Sequence, residues 1–117
     1  MAKYGNIHKD CKQGHIHHSI KESLYCNELE LRKKAGDIHG YETQKKFELV
    51  PKFVNSQGEN IRAVTYTPDF VIYHDGYNEI VDVKGSHKIK TQAFTLKWKM
   101  LQYLLREKGR YKFTIEV

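Results

Sequence analysis

The chain has 117 residues and a mass of 13.8 kDa, with 39% hydrophobic and 29% charged residues. That bounds one polar, soluble globular domain and excludes a disordered chain; no apolar run approaches the roughly 20 residues that cross a bilayer, so no membrane partner is expected. Twenty Lys and Arg against fourteen Asp and Glu leave a formal charge of +6 and a pI near 9.3, a balance that draws polyanions, nucleic acid first among them.

Residues 1–18 are polar and rich in histidine (His8, His15, His17, His18) and read as an N-terminal arm, with a short strand expected near Gly14–His17. The first residues lack the apolar stretch of a secretory signal. Cys11 and Cys26 are too few for a disulfide scaffold and fit a reduced interior. Their spacing to the arm histidines matches no familiar zinc pattern.

Residues 19–117 read as one domain. Ser19 opens a helix expected over Ser19–Ala35, with Leu24, Glu28, Leu31 and Ala35 on one face, Leu29 and Tyr25 flanking it, and Gly36 as its left-handed cap. Tyr41–Val50 alternates as a strand, and Pro51 and residues 55–60 form a loop. Ile61–Tyr66 is β-rich, Thr67-Pro68 interrupts it, and Asp69–Tyr73 continues it to an Asp75-Gly76 turn. Glu79–Lys84 is the return strand. Thr91 caps a second helix whose face is Phe94, Trp98, Leu101 and Leu105; Gly109 ends it, and Tyr111–Val117 is the last strand. The order α-β-β-β-α-β predicts an α/β fold: an antiparallel meander, a fourth strand added parallel by a right-handed crossover, and a helix on each side of one mixed sheet.

Two acids interrupt strands of otherwise buried type. Asp69 follows Pro68, and Asp82 lies in Val81-Asp82-Val83-Lys84. If Asp75-Gly76 turns the hairpin, the two carboxylates meet across neighbouring strands. Asp82 and Lys84, two apart, then share one face while Val81 and Val83 pack the other. Two carboxylates beside an ammonium suit Mg²⁺, with the Val83 carbonyl as a further oxygen ligand. The matching chemistry is metal-assisted hydrolysis of a phosphodiester, with Lys84 orienting the attacking water or stabilising developing charge. The plainer alternatives are a turn-forming Asp69 and a surface Asp82–Lys84 ion pair. Glu22 fits a capping box in Ser19-Ile20-Lys21-Glu22, or a third acid aimed at the metal directly or through water.

Pro68-Asp69 followed at a distance by Asp82-Val83-Lys84, after a helix bearing Glu22, resembles the PD-(D/E)xK nuclease superfamily. The likeness narrows to small phage and prophage nucleases through Lys3-Tyr4-Gly5-Asn6, Ser19-Ile20-Lys21-Glu22, the stretch from Gln44 to Leu49 with Pro51-Lys52-Phe53, Tyr66-Thr67-Pro68-Asp69-Phe70, Asp82-Val83-Lys84-Gly85, and Lys90-Thr91 with Phe94 and Lys97. The resemblance implies a restriction-endonuclease-like αβββαβ core. It makes Asp69, Asp82 and Glu22 the metal-site acids, Lys84 the motif lysine, and Mg²⁺ the cofactor, with Mn²⁺ substituting. The second acid is Asp82 where many relatives carry Glu, one methylene longer. Gln44 matches a strand-one glutamine of the family, either near the active site or simply polar at a sheet edge.

Lys21, Lys88, Lys90, Lys97 and Lys99 flank the acids and are expected to hold neighbouring phosphates. No helix-turn-helix or finger is evident, so recognition of DNA shape is expected over base sequence. The expectation is a homodimeric, Mg²⁺-dependent Holliday-junction resolvase acting on branched DNA in the cytoplasm of a phage-bearing host. The alternatives are a restriction- or transposition-type endonuclease, a non-catalytic DNA-binding module, and a structural phage protein.

Overall fold

The computed structural model describes residues 9–10, 16–17, 19–84 and 91–117. The elements run β1 (Lys9–Asp10), β2 (Ile16–His17), α1 (Ile20–Lys34), β3 (Gly40–Thr43), β4 (Phe47–Val50), β5 (Phe53–Val54), β6 (Asn60–Ile61), β7 (Val64–Tyr66), β8 (Phe70–Tyr73), β9 (Asn78–Val83), α2 (Gln92–Leu105) and β10 (Tyr111–Glu116). β2 falls where the arm strand was expected and pairs antiparallel with β1. Among the described residues no helix is long and apolar enough to cross a membrane.

The central sheet has four strands in the order β10-β9-β8-β3. β3, β8 and β9 form the antiparallel meander, and β10 joins β9 in parallel after the α2 crossover. The α-β-β-β-α-β order and the mixed sheet between two helices are therefore as expected. Period-two alternation sorts the side chains onto two faces. Phe70, Ile72, Val81 and Val83 pack toward α1 with Cys26, Leu29 and Ile38. Val71 and Ile80 pack toward α2 with Leu101 and Leu105, flanked by Trp98 and Phe113.

Both helices begin where their caps dictate. The Ser19 side chain accepts from the Glu22 amide at 3.0 Å, and the Thr91 hydroxyl accepts from the Phe94 amide at 3.0 Å. Gly36, at φ 83°, takes the left-handed turn just after α1. The buried stripe of α1 differs from the expected one. Leu24 and Leu31 are 63% and 67% exposed, whereas Cys26 and Leu29 are fully buried beside Glu22 and Ser23. α1 carries two competing apolar stripes at helical spacing. The one with small Ser23 and Cys26 lets the helix approach the sheet closely, and the Tyr25 ring then packs tilted against Phe70 with centroids 5.2 Å apart.

The second correction concerns Tyr41–Val50, which is not one strand. Gln44 adopts φ 59° and breaks it, so β3 stays in the sheet while β4 leaves it to pair with β7. Gln44 is accordingly a turn residue, not a strand position. Chain 47–66 forms a two-stranded finger: β4·β7 at the base, a register shift between Glu48 and Val50, and β5·β6 beyond. Ile61–Tyr66 thus belongs to the finger, and only Phe70–Tyr73 enters the central sheet.

Candidate active site

β8 and β9 pair with Phe70 opposite Val81. One step further along the same register, Asp69 faces Asp82. Their side chains fall on the α2 side of the sheet, at the open end of the hairpin. Each acid also bonds the opposite strand's backbone: Asp69 Oδ2 accepts from the Val83 amide at 2.7 Å, and Asp82 Oδ1 accepts from the Asp69 amide at 3.2 Å. The two carboxylates are therefore held side by side by the residues that extend the ladder.

The second oxygen of Asp82 has two cationic or polar neighbours. Tyr66 donates its hydroxyl to Asp82 Oδ2 at 2.5 Å, and Lys84 Nζ lies 3.5 Å from the same atom. Asp82 is 5% exposed, and a carboxylate so enclosed needs such partners. Lys84 lies two residues on, on the same face, with its ammonium 3.8 Å from the centre of the Phe94 ring. Phe94 comes from the first turn of α2 and stacks on Trp98, and Tyr66 packs against both. An aromatic wall from α2 and the finger thus closes one flank of the acids and fixes the lysine by a cation–π contact.

Electrostatics mark the pair as crowded with negative charge. Burial, then the neighbouring Asp82 charge, push the Asp69 pKa up from its ordinary value to about 9; Glu22 adds to the rise. Burial and the charge on Asp82 also push the Tyr66 hydroxyl up, so it remains a proton donor. This is the signature of two carboxylates in one low-dielectric site.

Glu22 is buried in the first turn of α1, across the sheet, near enough to act on Asp69 through its charge. Among the described residues no three acidic, histidine or cysteine side chains close on one point as a metal cluster, so the direct oxygen pair is Asp69 and Asp82. Lys97, one turn beyond Phe94, is half-buried, and Lys21 is half-buried beside Glu22. Lys99 lines a separate cleft of about 750 Å³ with Leu49, Val50 and Tyr103, on the finger side of α2. Lys88 and Lys90 lie outside the described residues, as do Gly85, Cys11, His15, His18 and the Lys3-Tyr4-Gly5-Asn6 stretch. Cys26 is buried in the core with its Sγ 3.6 Å from the Tyr41 hydroxyl.

Sequence reasoning passed over Tyr66 and the part played by Phe94. Tyr66 stands three residues before Asp69 within one extended run, and Phe94 opens the apolar face of α2. Both were legible as β or core residues, but neither position announces a contact with Asp82 or Lys84.

A family model described as "Protein of unknown function (DUF1064)" matches residues 1–114. No curated protein matches the chain. Among solved structures, the small subunit of the heterodimeric restriction endonuclease R.BspD6I is similar at 10% identity and a TM-score of 0.41, over 83% of this chain and 50% of that one. The chain thus spans half the length of that subunit.

Proposed function

The chain belongs to the DUF1064 family, and from its carboxylate pair we propose that it is a divalent-metal-dependent DNA endonuclease acting on branched DNA, a Holliday-junction resolvase-like enzyme working as a homodimer. The observation that carries this reading is the mutual bonding of Asp69 and Asp82 across β8 and β9, with Lys84 3.5 Å from Asp82. Paired carboxylates form surface turns everywhere; two of them buried together, locked by backbone amides and facing a lysine, do not.

The donor set fits a hard cation. It consists of carboxylate oxygens, and the crowding that pushes the Asp69 pKa up is relieved by positive charge between the acids. Asp69 and Asp82 would hold Mg²⁺ or Mn²⁺, with the Val83 carbonyl as a further oxygen and Glu22 acting through water. When bound, such a cation supplies Lewis-acid neutralisation of the phosphate charge.

The chain's own groups do the rest. The Val83 and Asp69 amides fix both carboxylates before substrate arrives. Tyr66 orients Asp82 Oδ2. Lys84, held on the Phe94 ring, presents an ammonium to the charge that develops on the phosphate and to the attacking water. Lys21 and Lys97, with Lys88 and Lys90, would grip flanking phosphates. The net charge of +6 favours such a partner. A two-fold dimer would present two sites to opposed strands of a junction, the basis for the homodimer and the branched substrate.

The test is cleavage of a labelled four-way junction and of linear duplex of the same sequence, with Mg²⁺ and with chelator. The wild-type chain is expected to cut the junction only with metal. Asp69→Ala and Lys84→Ala are expected to lose at least 10²-fold in rate. Equal cutting of the linear duplex would point to a restriction- or transposition-type endonuclease. Activity untouched by either substitution would end the nuclease reading.

A further inference from the structure

The central sheet has two edges, and they are not built alike. β3 closes one of them. It is four residues long, ends where Gln44 turns to φ 59°, and bears the exposed Glu42. Short, interrupted and charged edges guard against strand addition. β10 forms the other edge. It runs six residues in unbroken parallel register with β9 and holds neither a proline nor a bulge. Among the described residues no strand pairs with its far side.

Hydrogen bonds to β9 fix which residues of β10 face outward. The Arg110 and Glu116 carbonyls accept from the Asn78 and Lys84 amides, at 2.9 and 2.8 Å. In a strand the N–H and C=O of one residue point the same way, and those of the next point the opposite way. The even-numbered residues therefore bond β9, and Tyr111, Phe113 and Ile115 turn their N–H and C=O groups to the open edge. Their side chains share the α2 face. There Phe113 meets Trp98 edge to face, and Ile115 lies beside Asp82 in the register. Phe113 and Ile115 are only half-buried, whereas Ile80 and Val81 of β9 are fully buried. The helices thus leave β10 half uncovered. On the α1 face Thr114 donates to Glu79, with Lys112 and Glu116 on either side of it.

We propose that β10 is a dimer interface: it pairs antiparallel with β10 of a second copy about a two-fold axis at Thr114, and two four-stranded sheets become one continuous sheet. Phe113 then faces the partner's Ile115, and that pair exchanges both outward N–H···O=C bonds. Lys112 faces the partner's Glu116, twice over by symmetry. Within one chain those two charges stand four residues apart, roughly 13 Å along a strand, too far to pair with each other. Neither forms an ion pair among the described residues. A strand whose charges match only after a two-fold rotation favours its own copy as partner. The interface gives a place to the homodimer of the nuclease reading above, and its use on DNA rests on that reading. The axis stands perpendicular to the sheet, so both carboxylate pairs stay on one face. Three strand spacings and two residues part Asp82 from the partner's Asp82, roughly 14 Å sideways and about 7 Å along the strands. Two sites so placed address two strands of one DNA molecule from the same side.

The experiment is analytical sedimentation of the full chain over a range of concentrations, without metal or DNA. Wild type is expected to dimerise. Ile115→Pro removes an outward N–H and leaves the β9 ladder alone, a change that edge strands accept. It is expected to sediment as a monomer with the circular-dichroism spectrum of wild type. Lys112→Glu and Glu116→Lys each set like charges opposite at two places and are each expected to weaken the dimer roughly tenfold. Lys112→Glu/Glu116→Lys restores the pairing and should return the dissociation constant to within about threefold of wild type. The charge exchange decides by itself should Ile115→Pro fail to fold. The proposal is overturned if wild type stays monomeric throughout, if the single reversals dimerise as tightly as wild type, or if the double variant is no tighter than the singles. A parallel cleavage assay in Mg²⁺ keeps the two readings apart. A dimer of this register that cuts no DNA sinks the nuclease and keeps the interface. A chain that cuts while its charge variants sediment like wild type does the reverse.

Discussion

Asp69 is the residue on which folding and chemistry meet most directly. Its pKa is raised from the ordinary carboxylate value to about 9, first by burial and then by the Asp82 charge. A raised acid pKa costs stability as pH rises: the unfolded carboxyl sheds its proton near pH 4, while the folded one keeps it until about 9. In chelator, the wild-type chain is therefore expected to lose stability relative to Asp69→Asn between pH 4 and 9, read from denaturant midpoints at several pH values. Mg²⁺ should raise the wild-type midpoint more at pH 8 than at pH 5, and should do little to Asp69→Asn. Tyr66→Phe removes the donor to the enclosed Asp82 oxygen. It is expected to destabilise by about 1–2 kcal/mol and to slow metal-dependent cleavage by roughly tenfold while leaving the other contacts of Asp82 in place.

At the scale of elements, α1 offers a sharp comparison. Leu29 is fully buried and Leu24 is not, so Leu29→Ala is expected to cost about 2–5 kcal/mol and Leu24→Ala less than about 0.5; chemical denaturation separates them. On the α1 face of β9, Glu79 is buried between His74, 2.7 Å from one oxygen, and the Thr114 hydroxyl, 2.5 Å from the other. Thr114→Val should strip one of those bonds and cost roughly 1–3 kcal/mol in the same measurement. The elements also show what sequence could and could not reveal. Ser19, Gly36 and Thr91 announced both helices because caps are local chemistry. The two acids and Lys84 were legible because the period of two assigns faces without knowledge of the fold. The stripe of α1 was not, since Leu24 and Leu31 satisfy helical spacing as well as Cys26 and Leu29 do. Choosing between them needs the sheet. The finger was hidden for a related reason: a single non-glycine residue at positive φ, Gln44, sends the chain out of the sheet, and no rule of composition marks it.

For the molecule as a whole, the net charge of +6 predicts binding dominated by phosphate contacts. Junction affinity is expected to fall by 10²-fold or more between about 50 and 200 mM salt, a slope measurable by fluorescence anisotropy.

The reciprocal bonds of Asp69 and Asp82 to each other's strands have a consequence for how this fold can change over time. The acids that would serve a cation also act as a clasp that keeps two strands aligned. A lineage that abandons the chemistry must find another clasp or tolerate a looser hairpin. Inert descendants of such a chain should thus keep one of the two aspartates more often than they keep Lys84, whose ammonium contacts the Asp82 carboxylate and the Phe94 ring but bonds no backbone group of the neighbouring strand.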